Sequence, residues 1–109
     1  MKKLLMLLII NQAFFNLGFA AQPVIIIDVR TATEYAAGHI DNAVNIPFDE
    51  IDKRIQEVTK DKNATIVLYC RSGRRSGIAQ DTLADMGYKR VENGGSLENM
   101  KTRTYSTVK

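Results

Sequence analysis

The sequence predicts a small α/β domain: a mainly parallel central sheet of about four strands flanked by helices. Three observations carry this. The β-branched runs at 24–27 and 65–69 lack the in–out alternation of a half-exposed strand and suit strands covered on both faces. Segments with helical spacing of apolar residues stand between the strand-like segments. Strand and helix signals alternate along the chain, as a parallel sheet with crossover helices requires. The 109 residues allow one domain, and a composition 45% hydrophobic and 25% charged excludes a disordered chain or a coiled coil.

The first 20 residues read as a secretory signal peptide. Met1-Lys2-Lys3 is a positive start, 4–10 is an unbroken apolar run, and 13–19 continues it less cleanly. Gly18-Phe19-Ala20 then places small residues at the two key positions of a cleavage site, with cleavage expected after Ala20. A retained anchor is the weaker reading. Residues 4–20 number 17 and include Asn11, Gln12 and Asn16, whereas a spanning helix needs about 20 mostly apolar residues. The working protein is then one domain at 21–109, with its core at 24–97 and a polar, frayed tail at 101–109. Export takes the domain out of the cytoplasm, with no stable membrane association after cleavage. Loss of Lys2 and Lys3 leaves 13 basic against 12 acidic residues, so the formal charge of +3 falls to +1 and gives no argument for nucleic acid.

Within the domain, 24–27 forms the first strand and ends in Asp28-Val29-Arg30. Thr31 as N-cap and Glu34 at N3 fit a capping box, which starts a short helix that stops near Gly38. Residues 43–46 form a second short strand, closed by Pro47. Phe48, Ile51, Ile55 and Val58 recur at helical spacing, with Asp49, Glu50 and Asp52 in the first turn, where the helix dipole favours acids. Asp61-Lys62-Asn63 is a turn before the strongest strand, 65–69, with Cys70 at its C-terminal end. Residues 71–76 form a polar loop. Ile78 or Ala79, with Thr82, Leu83 and Met86, then mark an amphipathic helix ending at Gly87. Residues 90–93 are a short strand, Gly94-Gly95 a turn, and 96–100 a last turn of helix.

Cys70 is the one cysteine, so an internal disulfide and a cysteine-rich zinc site are excluded. No metal and no organic cofactor is expected. Cys70 lies where an open parallel sheet places its ligands, beyond the C-terminal strand ends. The loop feeds a helix N-terminus, whose free N–H groups and dipole hold anions and stabilise a thiolate. Arg71, Arg74 and Arg75 bring guanidiniums close in sequence, and Gly73 allows a backbone conformation that other residues resist. The residues alone leave the anion open. A Cys-dependent phosphatase or arsenate reductase places an arginine sixth after the cysteine. Here the sixth residue is Ser76 and Arg75 comes one place early, so the loop is a residue short for phosphate.

Cys70-Arg71-Ser72-Gly73-Arg74-Arg75 resembles the six-residue active-site loop of rhodanese domains. Asp28-Val29-Arg30, Glu34-Tyr35, Gly38-His39-Ile40, Ala43 and Asn45-Ile46-Pro47 resemble the family's upstream block in order and spacing. Met86-Gly87-Tyr88, Val91 and Asn93-Gly94-Gly95 resemble its downstream block. The resemblance covers residues 24–97 and, with the leader and the short chain, fits a periplasmic single-domain rhodanese.

The resemblance implies a thiosulfate sulfurtransferase. Cys70 is the implied nucleophile, carrying sulfur as a persulfide between thiosulfate and an acceptor, cyanide or a thiol, in a ping-pong cycle. A protein thiol or a thioredoxin-like reductant is a further partner. Arg71, Ser72, Gly73, Arg74 and Arg75 are the implied substrate-binding and persulfide-cradling residues, the three arginines remaining unranked. Asp28 and Arg30 are supporting residues: Asp28 orients loop groups or an arginine, and Arg30 pairs with Glu34. His39 is expected to be structural, and Tyr35 and Tyr69 to pack. The alternative is a persulfide carrier that delivers sulfur to a protein partner. Two departures from the family bear on the site. Almost nothing precedes the first strand after residue 20, and no Trp follows Gly94-Gly95. A minimal sheet and an open, shallow pocket are therefore expected.

Overall fold

The long apolar runs become the two inner strands. A computed structural model describes residues 23–103, in which β1 (Ile25–Asp28), β2 (Val44–Asn45), β3 (Thr65–Cys70) and β4 (Arg90–Ser96) form one sheet. The strand order is β2-β1-β3-β4, and every pair is parallel. The connections carry α1 (Ala32–Ala36), a 3₁₀ turn (Phe48–Glu50) running into α2 (Ile51–Val58), and α3 (Arg74–Asp85), while α4 (Leu97–Lys101) follows β4. The leader expected over 1–20 lies outside the described residues, as does the tail beyond 103. Among the described residues no helix is long and apolar enough to cross a membrane.

The sheet is covered on both faces, which is why its central strands show no polar alternation. Side chains alternate along a strand. Ile27 of β1 and Ile66 and Leu68 of β3 therefore meet Ile51 and Ile55 of α2 and Ala79 and Leu83 of α3 on one face. Ile26, Val67 and Tyr69 meet Met100 of α4 on the other, with Tyr35 and Leu97 packed against them. Thr31 accepts from the Glu34 N–H, and the Glu34 side chain reaches back to the Thr31 N–H, completing the capping box that starts α1.

Two elements differ from the sequence reading. On α3 the inward face runs through Ser76, Ala79 and Leu83, and Ile78 is 41% exposed, so the choice between Ile78 and Ala79 falls to Ala79. Gly94-Gly95 is not a turn. β4 continues through both glycines to Ser96, with a register shift opposite Leu68 and Cys70. The glycines answer a packing need instead. A Cβ at Gly94 would lie 2.5 Å from Met100 Sδ, 2.9 Å from Val67 Cγ1 and 3.2 Å from the Leu68 carbonyl. The thioether end can shift, but the β-branched valine and the backbone carbonyl resist. Gly94→Ala should therefore cost about 2 kcal/mol through overpacking. In a domain of this size that is a fall in Tm of roughly 8–16 °C, checked by thermal unfolding.

Candidate active site

β3 ends at Cys70, and only three residues separate it from α3. The six-residue loop expected over 71–76 is thus shorter. Gly73 is the N-cap, at φ +98° in the left-handed region that favours glycine, and Arg74, Arg75 and Ser76 already form the first helical turn. No side chain caps this helix. The orphan N–H groups of its entry point at sulfur instead. The Gly73 N–H donates to Cys70 Sγ at 3.0 Å, and the Ser76 hydroxyl lies 3.5 Å from it.

These contacts set the charge state of the thiol. Burial pushes it up, but hydrogen bonds from the Ser76 hydroxyl and from the backbone N–H groups of Ser76, Ser72 and Gly73 outweigh burial and hold it down at about 7. An appreciable share of Cys70 is thus thiolate at neutral pH. The open, shallow pocket expected from the sequence does not extend to the sulfur: Cys70 has 0% exposed surface. Of the residues that follow it, Arg71, Ser72 and Arg74 are exposed.

The three loop arginines separate. Arg75 grips Glu34 of α1 with two parallel bonds, Nη1 to Oε1 at 2.8 Å and Nη2 to Oε2 at 3.1 Å. The Arg75 guanidinium, helped by the Thr31 N–H, holds the Glu34 carboxyl down at about 2. Arg71 and Arg74 enter no ion pair among the described residues.

The Arg30–Glu34 pair expected from the sequence does not form. Arg30 folds inward onto Asp28, with Nε 2.9 Å from Oδ1 and Nη2 2.6 Å from Oδ2, and Nη2 also donates to the Gly38 carbonyl at 2.7 Å. Asp28 is fully buried, and the Arg30 side chain keeps only 7% exposure. The guanidinium lies over the Tyr69 ring, 5.7 Å from its centroid. Burial next to a carboxylate and an aromatic face favours this local pair over a reach to the more exposed Glu34, which is taken by Arg75. Asp28 therefore orients Arg30 rather than a loop arginine. Asn45 closes the arrangement by donating to the carbonyls of Asp28 and Arg30 at 2.9 and 3.0 Å.

His39 and the tyrosines make contacts within the fold. The His39 ring is stacked on Tyr35 at 3.6 Å between centroids, with Nδ1 2.8 Å from the Tyr35 carbonyl. Tyr35 donates to the Ala43 carbonyl, and Tyr69 accepts from the Ile40 N–H. Among the described residues no three His, Cys, Asp or Glu side chains converge as metal ligands.

Two residues beside the sulfur escaped the sequence reading. Ser76 entered it as the end of the polar loop and the residue that is not arginine, and Asn93 as the end of a short strand and part of a block of family resemblance. Ser76 is fully buried, and its hydroxyl donates to Asn93 Oδ1 at 2.6 Å. Asn93, on β4, also donates from Nδ2 to the Gly73 carbonyl at 2.9 Å. The usable signal was a hydroxyl placed where the first turn of a helix returns to the strand end.

The family profile of the Rhodanese-like domain matches residues 14–98. The chain belongs to the rhodanese-like domain family. The match begins within the segment read as a leader. Among rhodanese-like relatives, the thiosulfate sulfurtransferase PspE of Escherichia coli (strain K12) is 45% identical over 74 residues, covering 68% of this chain and 71% of that protein. A sulfurtransferase of Allochromatium vinosum is 42% identical over 72 residues, 66% of this chain and 65% of its own length. YrkF of Bacillus subtilis (strain 168), described as a candidate sulfur carrier protein, is 43% identical over 68 residues, and there the match spans only 36% of the relative. A solved structure described as a rhodanese with anions from E. coli superposes with a TM-score of 0.68 at 43% identity, covering 70% of this chain and 89% of that one. The rhodanese resemblance and the small, parallel α/β fold expected from the sequence are both borne out.

Proposed function

We propose that this protein is a thiosulfate sulfurtransferase in which Cys70 carries the transferred sulfur. One observation carries the reading: backbone N–H groups of the 71–73 turn and the α3 entry converge on the sulfur of the only cysteine. A thiosulfate sulfurtransferase at 45% identity and a rhodanese solved with anions support it.

The Cys70 thiolate attacks the outer sulfur of thiosulfate. A new S–S bond forms to Cys70, the S–S bond of thiosulfate breaks, and sulfite leaves with the electron pair. The persulfide anion is then held by the same N–H groups that hold the thiolate, without reorganisation. Cyanide or a thiolate attacks the terminal sulfur, and Cys70 departs as thiolate, closing a ping-pong cycle.

Arg71 and Arg74, exposed beside Cys70 in sequence, receive the oxygens of the incoming dianion. Arg75 acts on the site through its bond to Glu34, which ties α3 to α1. Ser72 and Gly73 provide cradle N–H groups, and the Asp28–Arg30 pair supports the neighbouring strand end. Removal of residues 1–20 would leave a domain at 21–109 working in the periplasm, with cyanide, a small thiol, a protein thiol or a thioredoxin-like reductant as acceptor. The similarity to a candidate sulfur carrier favours a second reading, in which the persulfide is delivered to a protein partner.

Intact mass of the reduced protein tests the chemistry. Thiosulfate should add one sulfur atom, and cyanide should then remove it with formation of thiocyanate. No added sulfur on a reduced, alkylatable Cys70 overturns the proposal. Sulfur addition with negligible steady-state thiocyanate formation selects the carrier.

A further inference from the structure

The Ser76 hydroxyl has one proton and three acceptors within reach. Asn93 Oδ1 lies at 2.6 Å, the Gly73 carbonyl at 3.2 Å and Cys70 Sγ at 3.5 Å. The surrounding bonds decide which acceptor takes it. Asn93 must present Nδ2 to the Gly73 carbonyl and Oδ1 to the Gly95 N–H, at 2.9 Å each, so its amide orientation is fixed by the backbone. Its oxygen therefore faces Ser76 as an acceptor, and the serine proton points to Asn93. That leaves a lone pair of Ser76 towards the sulfur, suited to a neutral S–H. A charged sulfur has no proton to give and calls for the hydroxyl to turn.

We propose that Asn93 is a positioning residue for the Cys70 sulfur, acting through Gly73 and Ser76. It anchors the loop carbonyl beside the cradle N–H and supplies the resting acceptor for a hydroxyl that turns to the sulfur when Cys70 is charged. The turn is a rotation about the Cβ–Oγ bond of Ser76, in which no covalent bond forms or breaks. The inference rests on the sulfur-transfer reading of Cys70. It adds a polar control point on β4, an element that contributes no residue to the loop itself.

The charged groups around the sulfur leave room for this control. From α3, the Arg75 guanidinium interacts with the Cys70 charge but is tied to Glu34 of α1. From β1, Asp28 is closed on Arg30. Arg71 and Arg74 are exposed and enter no ion pair among the described residues. β4 places the uncharged Ser96 opposite Cys70.

The test is the pH profile of Cys70 alkylation by iodoacetamide, with kcat and KM for thiosulfate, in the wild-type protein, Ser76→Ala, Ser76→Thr and Asn93→Asp. Ser76→Ala removes the donor and should raise the alkylation midpoint by about one pH unit. It should also lower kcat at neutral pH by about tenfold while moving KM by less than about twofold. Ser76→Thr, which keeps the hydroxyl, should restore the midpoint. Asn93→Asp keeps the acceptor for Ser76 but replaces the donor to Gly73 and adds a like charge, so its midpoint should also rise. Midpoints at the wild-type value in Ser76→Ala and Asn93→Asp overturn the inference, as does a fall in kcat with no movement of the midpoint. If Asn93→Asp fails to fold, the Ser76→Ala and Ser76→Thr pair decides. Alkylation needs no thiosulfate, so these outcomes stand apart from a failure of the wild-type protein to accept sulfur.

Discussion

Cys70→Ser should bring the transfer of sulfur from thiosulfate to cyanide down to background, a loss of about 10⁴-fold or more. A serine oxygen fits the space and accepts the same N–H donors, so the fold should persist and the loss should lie in the chemistry. No other cysteine in the 109 residues can substitute. The pH dependence of the wild-type protein follows from the same sulfur. With the thiol held at about 7, kcat/KM for thiosulfate should rise with pH through that value and level off above it. The sign for stability follows as well. The folded value lies below the ordinary 9.0, so the unfolded chain binds more protons between about 7 and 9. The stabilisation is complete above 9 and is lost as pH falls through 7. The stability advantage of wild type over Cys70→Ser should therefore widen across that window in urea unfolding. An advantage independent of pH would mean that the cradle does not favour the thiolate.

Asp28→Ala should be among the most destabilising single changes in the domain. It strips the partner from a guanidinium whose side chain is 7% exposed, leaving that charge with the Gly38 carbonyl and the Tyr69 ring. Breaking a buried pair in this way costs about 3–5 kcal/mol. Small domains have only about 5–15 kcal/mol in total, so much of the protein should unfold near physiological temperature. Replacing both partners together, Asp28→Leu with Arg30→Met, should recover most of the loss, because no unpaired charge remains. Urea unfolding of the single and double variants checks this. A single variant within about 1 kcal/mol of wild type would show that water reaches Arg30 and solvates it.

Local rules were legible in the residues, and contacts between distant segments were not. Thr31 and Glu34 announce their capping box because both partners lie within one turn. The runs at 24–27 and 65–69 announce buried parallel strands because their chemistry is uniform on both faces. Glu34 also shows the limit. Its second partner, Arg75, is 41 residues away, and nothing local distinguishes it from Arg30, four residues before Glu34. Gly94-Gly95 carries a turn signature, yet the glycines serve close packing against Met100 and Val67, which is visible only once α4 lies on the sheet. At the site, Cys70 at a strand end and the guanidiniums after it were readable from order alone. Asn93 was not, because its bonds to Ser76 and Gly73 exist only when β4 lies beside β3.

An all-parallel sheet contains no hairpin, so none of its strand pairings can begin locally. Ile25 pairs with Ile66, and Ile66 with Val91. Each of these contacts closes a long stretch of chain before any ladder bond rewards it, and such topologies assemble slowly. This slow assembly bears on the thiol. Until the loop and α3 take their places at the end of β3, the Ser76 hydroxyl and the N–H groups of Ser72, Gly73 and Ser76 do not reach the sulfur, so an unfolded chain carries a cysteine of ordinary acidity. At neutral pH that cysteine is mostly protonated and correspondingly unreactive. Folding thus arms the sulfur, and an unfolded chain is spared the reactivity of the finished one.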